Sequence, residues 1–304
     1  MAHQSGITGI GVTDHVYIEF DLVDGVDGAE AVAKLSEAIN VPTTAGANIV
    51  AGVRPELWAR VAEAADVPDN VHGFNEAIVG RDGYTMPATQ HDVWLWGASS
   101  SRSAAFDLSR SIIEQLREVL AVADETVGWV YQHNRDLTGF EDGTENPGAL
   151  EAPSVVAIPA GQPGAGASIL LYQLWKHKTV DWESLGTKAQ ENIIGRTRED
   201  STELDDDVMP DDSHVSRNVI EVDGEELEIF RRNTAYGDHN DHGTVFVGFS
   251  FDQWRMEEML RRMAGADDEQ GPRDALTRFT DAISGSWYVC PSVEALAKLL
   301  PEED

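Results

Sequence analysis

Polar residues in four stretches, far apart along the chain, sit where side chains could do chemistry. Asp142 lies in Gly139-Phe140-Glu141-Asp142-Gly143-Thr144-Glu145-Asn146-Pro147. Two glycines, an asparagine and a proline between apolar runs mark a loop whose backbone angles suit glycine. A carboxylate held by a shaped backbone suits general acid–base catalysis, although an Asp-Gly pair is also a common surface turn. His214, in Asp212-Ser213-His214-Val215-Ser216-Arg217, reads by spacing alone as a solvated loop histidine or one beside a serine helix cap. Arg231 and Arg232 close the run Glu228-Ile229-Phe230-Arg231-Arg232-Asn233. Strand alternation puts Ile229, Arg231 and Asn233 on one face and Phe230 and Arg232 on the other, without saying which face is inside. Asp274 and Asp281 fall on a late segment of helical appearance, where either could be an ordinary exposed carboxylate.

Strands and helices alternate around these positions. Residues 15–20 alternate apolar and polar as a half-buried strand does, and 48–53, 91–97 and 127–132 read as further strands. Helical spacing over 29–39, 55–64 and 103–123 places helices between them; Ala105, Leu108, Ile112, Ile113, Leu116, Val119 and Leu120 make one face. The second half repeats the order without a residue-level repeat. Strands are expected at 154–159, 168–175, 219–222, 226–232, 244–250 and 286–290, and helices at 182–195, 253–263, 273–283 and 293–300. Asp223-Gly224 marks a hairpin. The pattern defines an α+β protein in two parts.

Composition narrows the function. The 304 residues are 41% hydrophobic, enough for two ordinary domains. A formal net charge of −32 repels nucleic acid and anionic membranes, so neither is expected as a partner. No apolar run approaches the ~20 residues of a membrane span, and residues 1–15 show no secretory pattern. One cysteine, Cys290, excludes an internal disulfide and fits a reducing, cytoplasmic setting. So acidic a surface repels itself until salt screens it; the Debye length falls to ~3 Å at 1 M. The expectation is a cytoplasmic protein of a salt-loving, halophilic organism.

The stretch 139–147 resembles the G-x-x-D-G signature, with its Thr-Glu-Asn-Pro extension, of the dye-decolorising peroxidases, haem enzymes that use peroxide. Residues 136–147, 193–197, 213–217, 228–237 and 273–292 resemble family segments in family order. The resemblance implies two ferredoxin-like α/β sandwich halves with antiparallel sheets, the second holding most of the haem. The corresponding domains are 1–134 and 135–304. It implies haem b (iron protoporphyrin IX) ligated by His214, with Asp274, or Asp281 a turn or two along, accepting the proton of the other ring nitrogen. Asp142 and Arg231 become catalytic groups for hydrogen peroxide, with Asn233 beside them and Arg232 the fallback for the arginine. Thr234-Ala235 departs from the apolar-Pro pair common in relatives. Arg196, in Ile193-Ile194-Gly195-Arg196-Thr197, becomes a partner for a haem propionate, and His177 matches a common family position with a structural role. The implied partners are hydrogen peroxide and a small one-electron donor such as a dye or phenol, with homo-oligomers a further implication.

Other clusters carry less. His239-Asn240-Asp241-His242 reads as a polar turn before a strand rather than a metal site. Asp205-Asp206-Asp207 with Asp211-Asp212 lacks calcium-loop spacing. Gly161-Gln162-Pro163-Gly164-Ala165-Gly166 fails the dinucleotide pattern. Two rival classes remain: a haem-handling protein that needs His214 but neither Asp142 nor Arg231, and a ferredoxin-like binding module without haem.

Overall fold

Alternation along the strands builds a closed barrel. The computed structural model describes residues 1–42, 44–266 and 271–301. The first half contributes β1 (Asp14–Leu22), α1 (Gly28–Ile39), β2 (Asn48–Val53), β3 (Val93–Ser99), α2 (Arg102–Leu116) and β4 (Leu120–Trp129). The second begins with β5 (Ser168–His177), followed by short helices that include α3 (Thr187–Ile194) and α4 (His214–Asn218). It continues through β6 (Thr234–Gly237), β7 (His242–Ser250) and α5 (Gln253–Ala264) to β8 (Ser286–Cys290). Both halves therefore run βαββαβ, with antiparallel strand orders β4-β1-β3-β2 and β8-β5-β7-β6. The free edges then pair with each other: Val53 faces Val289 across β2 and β8, and Ala235 faces Trp129 across β6 and β4. Closure satisfies edge groups that would otherwise template aggregation.

One face of each strand fills the barrel. Tyr17, Trp94, Trp96, Tyr172, Tyr288, Val247 and Phe249 pack there. The opposite faces, Val16, Ile18 and Phe20 on β1 for example, pack outward against Val32 and Leu35 of α1 and Ile112 and Leu116 of α2. Period-2 alternation with both faces buried is what a strand between an interior column and an outer helix layer requires.

Several expected elements differ: the strand expected at 226–232 is two short pieces, Glu225–Glu226 and Phe230–Arg231, and the one expected at 127–132 is the end of β4. The apolar run at 154–159 forms the helix Ala152–Val156, because Ala152, Val155 and Val156 meet the core at helical spacing and Pro153 lies in its first turn. Helix α2 stops at Leu116; Val119 and Leu120 continue its apolar spacing, but Leu120 already starts β4. The helix expected at 182–195 is two, Thr179–Glu183 and α3, separated around Gly186. The helix expected at 273–283 is a short 3-10 turn, Ala275–Arg278, followed by the strand Thr280–Ala282 on the edge of β5.

Candidate active site

The outer face of the second sheet does not pack fully against its helices. A cavity of about 210 Å³ lies there, and its walls come entirely from residues 136 to 280. Leu171, Gln173 and Trp175 of β5 and Phe246 of β7 form one wall, and Met256, Met259, Leu260 and Met263 of α5 another. Polar groups converge on this apolar lining from the loop after β4, from α4 and from the segment before β6.

His214 opens α4. Ser213 caps that helix, its Oγ accepting from the Ser216 N–H at 3.2 Å. The ring Nδ1 lies 2.7 Å from Oδ2 of Asp274, which is wholly buried and whose Oδ1 accepts from the Leu276 N–H at 2.8 Å. A carboxylate only accepts, so the proton sits on Nδ1 and Nε2 keeps its lone pair. Asn218 steadies the pair, donating to the His214 carbonyl at 2.7 Å. Asp281 is excluded as the partner: it is paired with Lys178 at 2.7 Å.

Asp142 is carried by a tight hairpin. Tyr131 bridges Arg135 and Arg135 bridges Glu141, while the Asp142 N–H donates to Asn134 O at 2.8 Å. Gly139 and Gly143 take φ of +91° and +78°, the left-handed region that makes glycine necessary. Arg231 Nε stands 4.0 Å from Asp142 Oδ1. That is too long for a hydrogen bond but short enough for one small molecule to touch both. Asn233 lines the same cavity; its Oδ1 accepts from the Val247 N–H at 3.0 Å, which leaves its Nδ2 hydrogens for the cavity.

The position of the cavity settles the choice between the two arginines. Arg231 lines the cavity. Arg232 turns into the barrel end, donating to the carbonyls of Ile7 at 2.9 Å and Gly9 at 2.5 Å, with its guanidinium 5.1 Å from the Trp96 ring centre. Arg196 also lines the cavity, but it is already engaged by Glu145 at 2.7 Å and Glu203 at 2.8 Å. His177 bonds Thr244 at 3.1 Å in the cavity wall, and burial, helped by His242, lowers its pKa to about 4. His242 pairs with Thr179 and the Asp238 carbonyl, as a polar turn does, and no metal-holding cluster of acidic, histidine or cysteine groups occurs among the described residues.

Three groups escaped the motif reading. Asn146 clamps Arg231: its Oδ1 accepts from the Arg231 N–H and its Nδ2 donates to the Arg231 carbonyl, each at 2.8 Å. Its place in the 139–147 motif was the available signal. Gln173 is wholly buried at the cavity wall, with neither amide atom hydrogen-bonded, although buried amides normally find partners. Asp136 lines the cavity beside Asp142; burial first, then the Asp142 charge, raises its pKa to about 6. The residue as a whole is half-buried.

An antiparallel barrel bearing an apolar cavity with one carboxylate-backed imidazole and an Asp–Arg pair fits a haem-binding redox enzyme. The family models described as Dyp-type peroxidase, N-terminal, and Dyp-type peroxidase, C-terminal, match residues 4–130 and 133–295. A dye-decolorizing peroxidase of Mycolicibacterium paratuberculosis is 37% identical over 251 residues, 81% of this chain and 70% of that protein. One of Mycobacterium tuberculosis is 32% identical over 284 residues, 90% and 84% of the two chains. A Rhodococcus jostii DypB variant solved in complex with heme superposes with a TM-score of 0.86 at 30% identity, covering 95% of this chain and 96% of that one. The encapsulated DyP-type peroxidase of Mycobacterium smegmatis gives 0.86 at 32%, covering 96% and 97%. The chain belongs to the Dyp-type peroxidase family and is a haem peroxidase.

Proposed function

We propose that the cavity holds haem b, with His214 Nε2 as the iron's protein ligand and Asp142, Arg231 and Asn233 as the groups that handle hydrogen peroxide. The observation that carries this reading is His214, backed by Asp274 at 2.7 Å, in the wall of the same cavity that Asp142 and Arg231 line. The lining, apolar side chains of β5, β7 and α5 with a few polar groups, suits a large flat apolar group. When bound, the haem supplies the iron on which peroxide is reduced and the oxidising equivalents that the donor then neutralises.

The chain's own groups do the rest. Asp274 holds the proton on His214 Nδ1, orients the ring and makes Nε2 a stronger donor to iron. Asp142 takes the proton from the inner peroxide oxygen and returns it to the outer one, so that water leaves. The fixed charge of Arg231 stabilises negative charge as the O–O bond breaks heterolytically. Asn233 Nδ2 donates a hydrogen bond that orients the peroxide. Arg196 offers a remaining N–H to a propionate, since guanidinium carries five donors and three are used. Small dyes or phenols serve as one-electron donors.

Asp142→Asn and Arg231→Leu test the reading. Both should keep a Soret band and lose peroxide reduction by a hundredfold or more, of the order seen for acid–base and charge-stabilising groups, roughly 10²–10³. Unchanged turnover with haem bound would instead assign a haem-handling role.

The setting is part of the proposal. The net charge of −32, with five lysines in the whole chain, supports a halophile's salt-rich cytoplasm. Among the described residues no helix is long and apolar enough to cross a membrane. Association into a homo-oligomer, or enclosure like that named for the Mycobacterium smegmatis relative, is testable by light scattering.

A further inference from the structure

We propose that Asp136 is a proton-relay residue, a second carboxylic acid that supplies protons to Asp142 through a water held in a small cavity the two share. The inference rests on the assignment of Asp142 made above. Hairpin register is the first support. With Arg135 opposite Glu141, residues 136 and 140 form the next pair and 134 and 142 the one before; the Asp136 N–H donates to Phe140 O at 2.9 Å. Asp136 and Asp142 therefore project from one face of the hairpin as diagonal neighbours, within reach of one bridging molecule. The second support is a separate cavity of about 10 Å³, lined by Asp136, Asp142, Asn134, Asn233 and Thr244. A polar site of about 10–15 Å³ is the size that admits a single water, which needs two to four polar partners. The third is orientation. Thr138 donates both its N–H, at 2.8 Å, and its hydroxyl to Asp136 Oδ1, and Asp136 lines both cavities, so Oδ2 is left for the cavity side.

The stoichiometry gives such a group work. Reducing one hydrogen peroxide to two waters consumes two electrons, which the donor supplies, and two protons. In the relay step the O–H bond of the Asp136 carboxyl breaks, the bridging water takes that proton and passes one of its own to the Asp142 carboxylate. Solvent then reloads Asp136. Of the groups acting on Asp136, Thr138, through its two hydrogen bonds, and then His214 oppose the acid form, while the Asp142 charge favours it; Arg135, Arg196 and Arg231 are the cations in the walls of the two cavities. Burial outweighs the opposing influences and places the titration at about 6. The sign follows: the acid form is present below that value, so the relay is loaded there and empties as pH rises through it.

The test uses the haem-loaded enzyme and Asp136→Asn, with Asp136→Glu as the conservative control. Wild-type kcat should fall as pH rises through about 6. Asp136→Asn should keep the Soret band, lower kcat at pH 5 by about a hundredfold, flatten the profile, and recover activity when formate or acetate is added as a small acid. Asp136→Glu should restore the pH limb. Independently of turnover, infrared difference spectra of the haem-free protein should show a protonated carboxyl stretch that titrates near pH 6 and vanishes in Asp136→Asn but not in Asp142→Asn. A wild-type profile in Asp136→Asn, or a carboxyl band that survives in it, overturns the proposal. If Asp142→Asn stays fully active, the assignment of Asp142 has failed; if it is inert while Asp136→Asn behaves as wild type, only the relay has failed.

Discussion

Replacing Asn146 with alanine isolates how Arg231 is held. Asn146 touches Arg231 only through the backbone in two hydrogen bonds, both 2.8 Å and partly buried, so the substitution leaves the guanidinium itself intact. A neutral hydrogen bond contributes about 1 kcal/mol net, so losing the pair costs about 2 kcal/mol. That free energy holds the Arg231 segment beside the hairpin of Asp142, where the two side chains stand 4.0 Å apart. If the loss falls on Arg231 placement, the rate of peroxide reaction drops by about thirtyfold, at about 1.4 kcal/mol per decade. The assay is stopped-flow mixing of haem-loaded protein with hydrogen peroxide, normalised to Soret absorbance. Asn146→Asp keeps the acceptor and loses the N–H donor, and should fall between the two. A rate within about twofold of wild type for Asn146→Ala, with melting lowered, would show that the clamp stabilises the loop without placing the arginine, and the reasoning would be wrong.

Other outcomes follow from the same geometry. His214→Ala should lose haem or change its ligation, read from the Soret region, because Asp274 then backs no imidazole. Arg231→Leu and Arg232→Leu should separate cleanly. The first lowers peroxide reduction roughly 10²–10³-fold with little change in melting. The second leaves peroxide chemistry near wild type but destabilises by about 1–3 kcal/mol, since the carbonyls of Ile7 and Gly9 lose their donor in the barrel end. His177 is held neutral, with its pKa lowered from 6.5 to about 4, so the unfolded chain binds the extra proton. Its contribution to stability is present above pH 6.5 and is lost as pH falls towards 4; chemical denaturation of His177→Gln should show a shallower acid limb than wild type. Molar KCl should raise the melting temperature by screening a net charge of −32; a melt unchanged or lowered by salt refutes the halophile reading.

Local sequence determined a good part of this protein. Two glycines around Asp142 demanded left-handed backbone, and Gly139 and Gly143 take it. Alternation assigned Arg231 and Arg232 to opposite faces, and a net charge of −32 opposes the approach of nucleic acid. These are properties of neighbouring residues, which share backbone geometry and therefore leave a periodic trace. Tertiary structure decided the rest. Strand parity could not say which arginine meets the cavity, because that depends on which face the α5 helix covers. Asp274 and Asp281 were equivalent until the 3-10 turn put one under His214 and the β5 edge put the other beside Lys178. The closing pairs, Val53 with Val289 and Ala235 with Trp129, join strands more than a hundred residues apart and leave no local pattern. Asn146, Gln173 and Asp136 gained their roles in the same way: a polar side chain acquires its chemistry from the partners it meets or lacks, and here folding alone brought those partners near or withheld them.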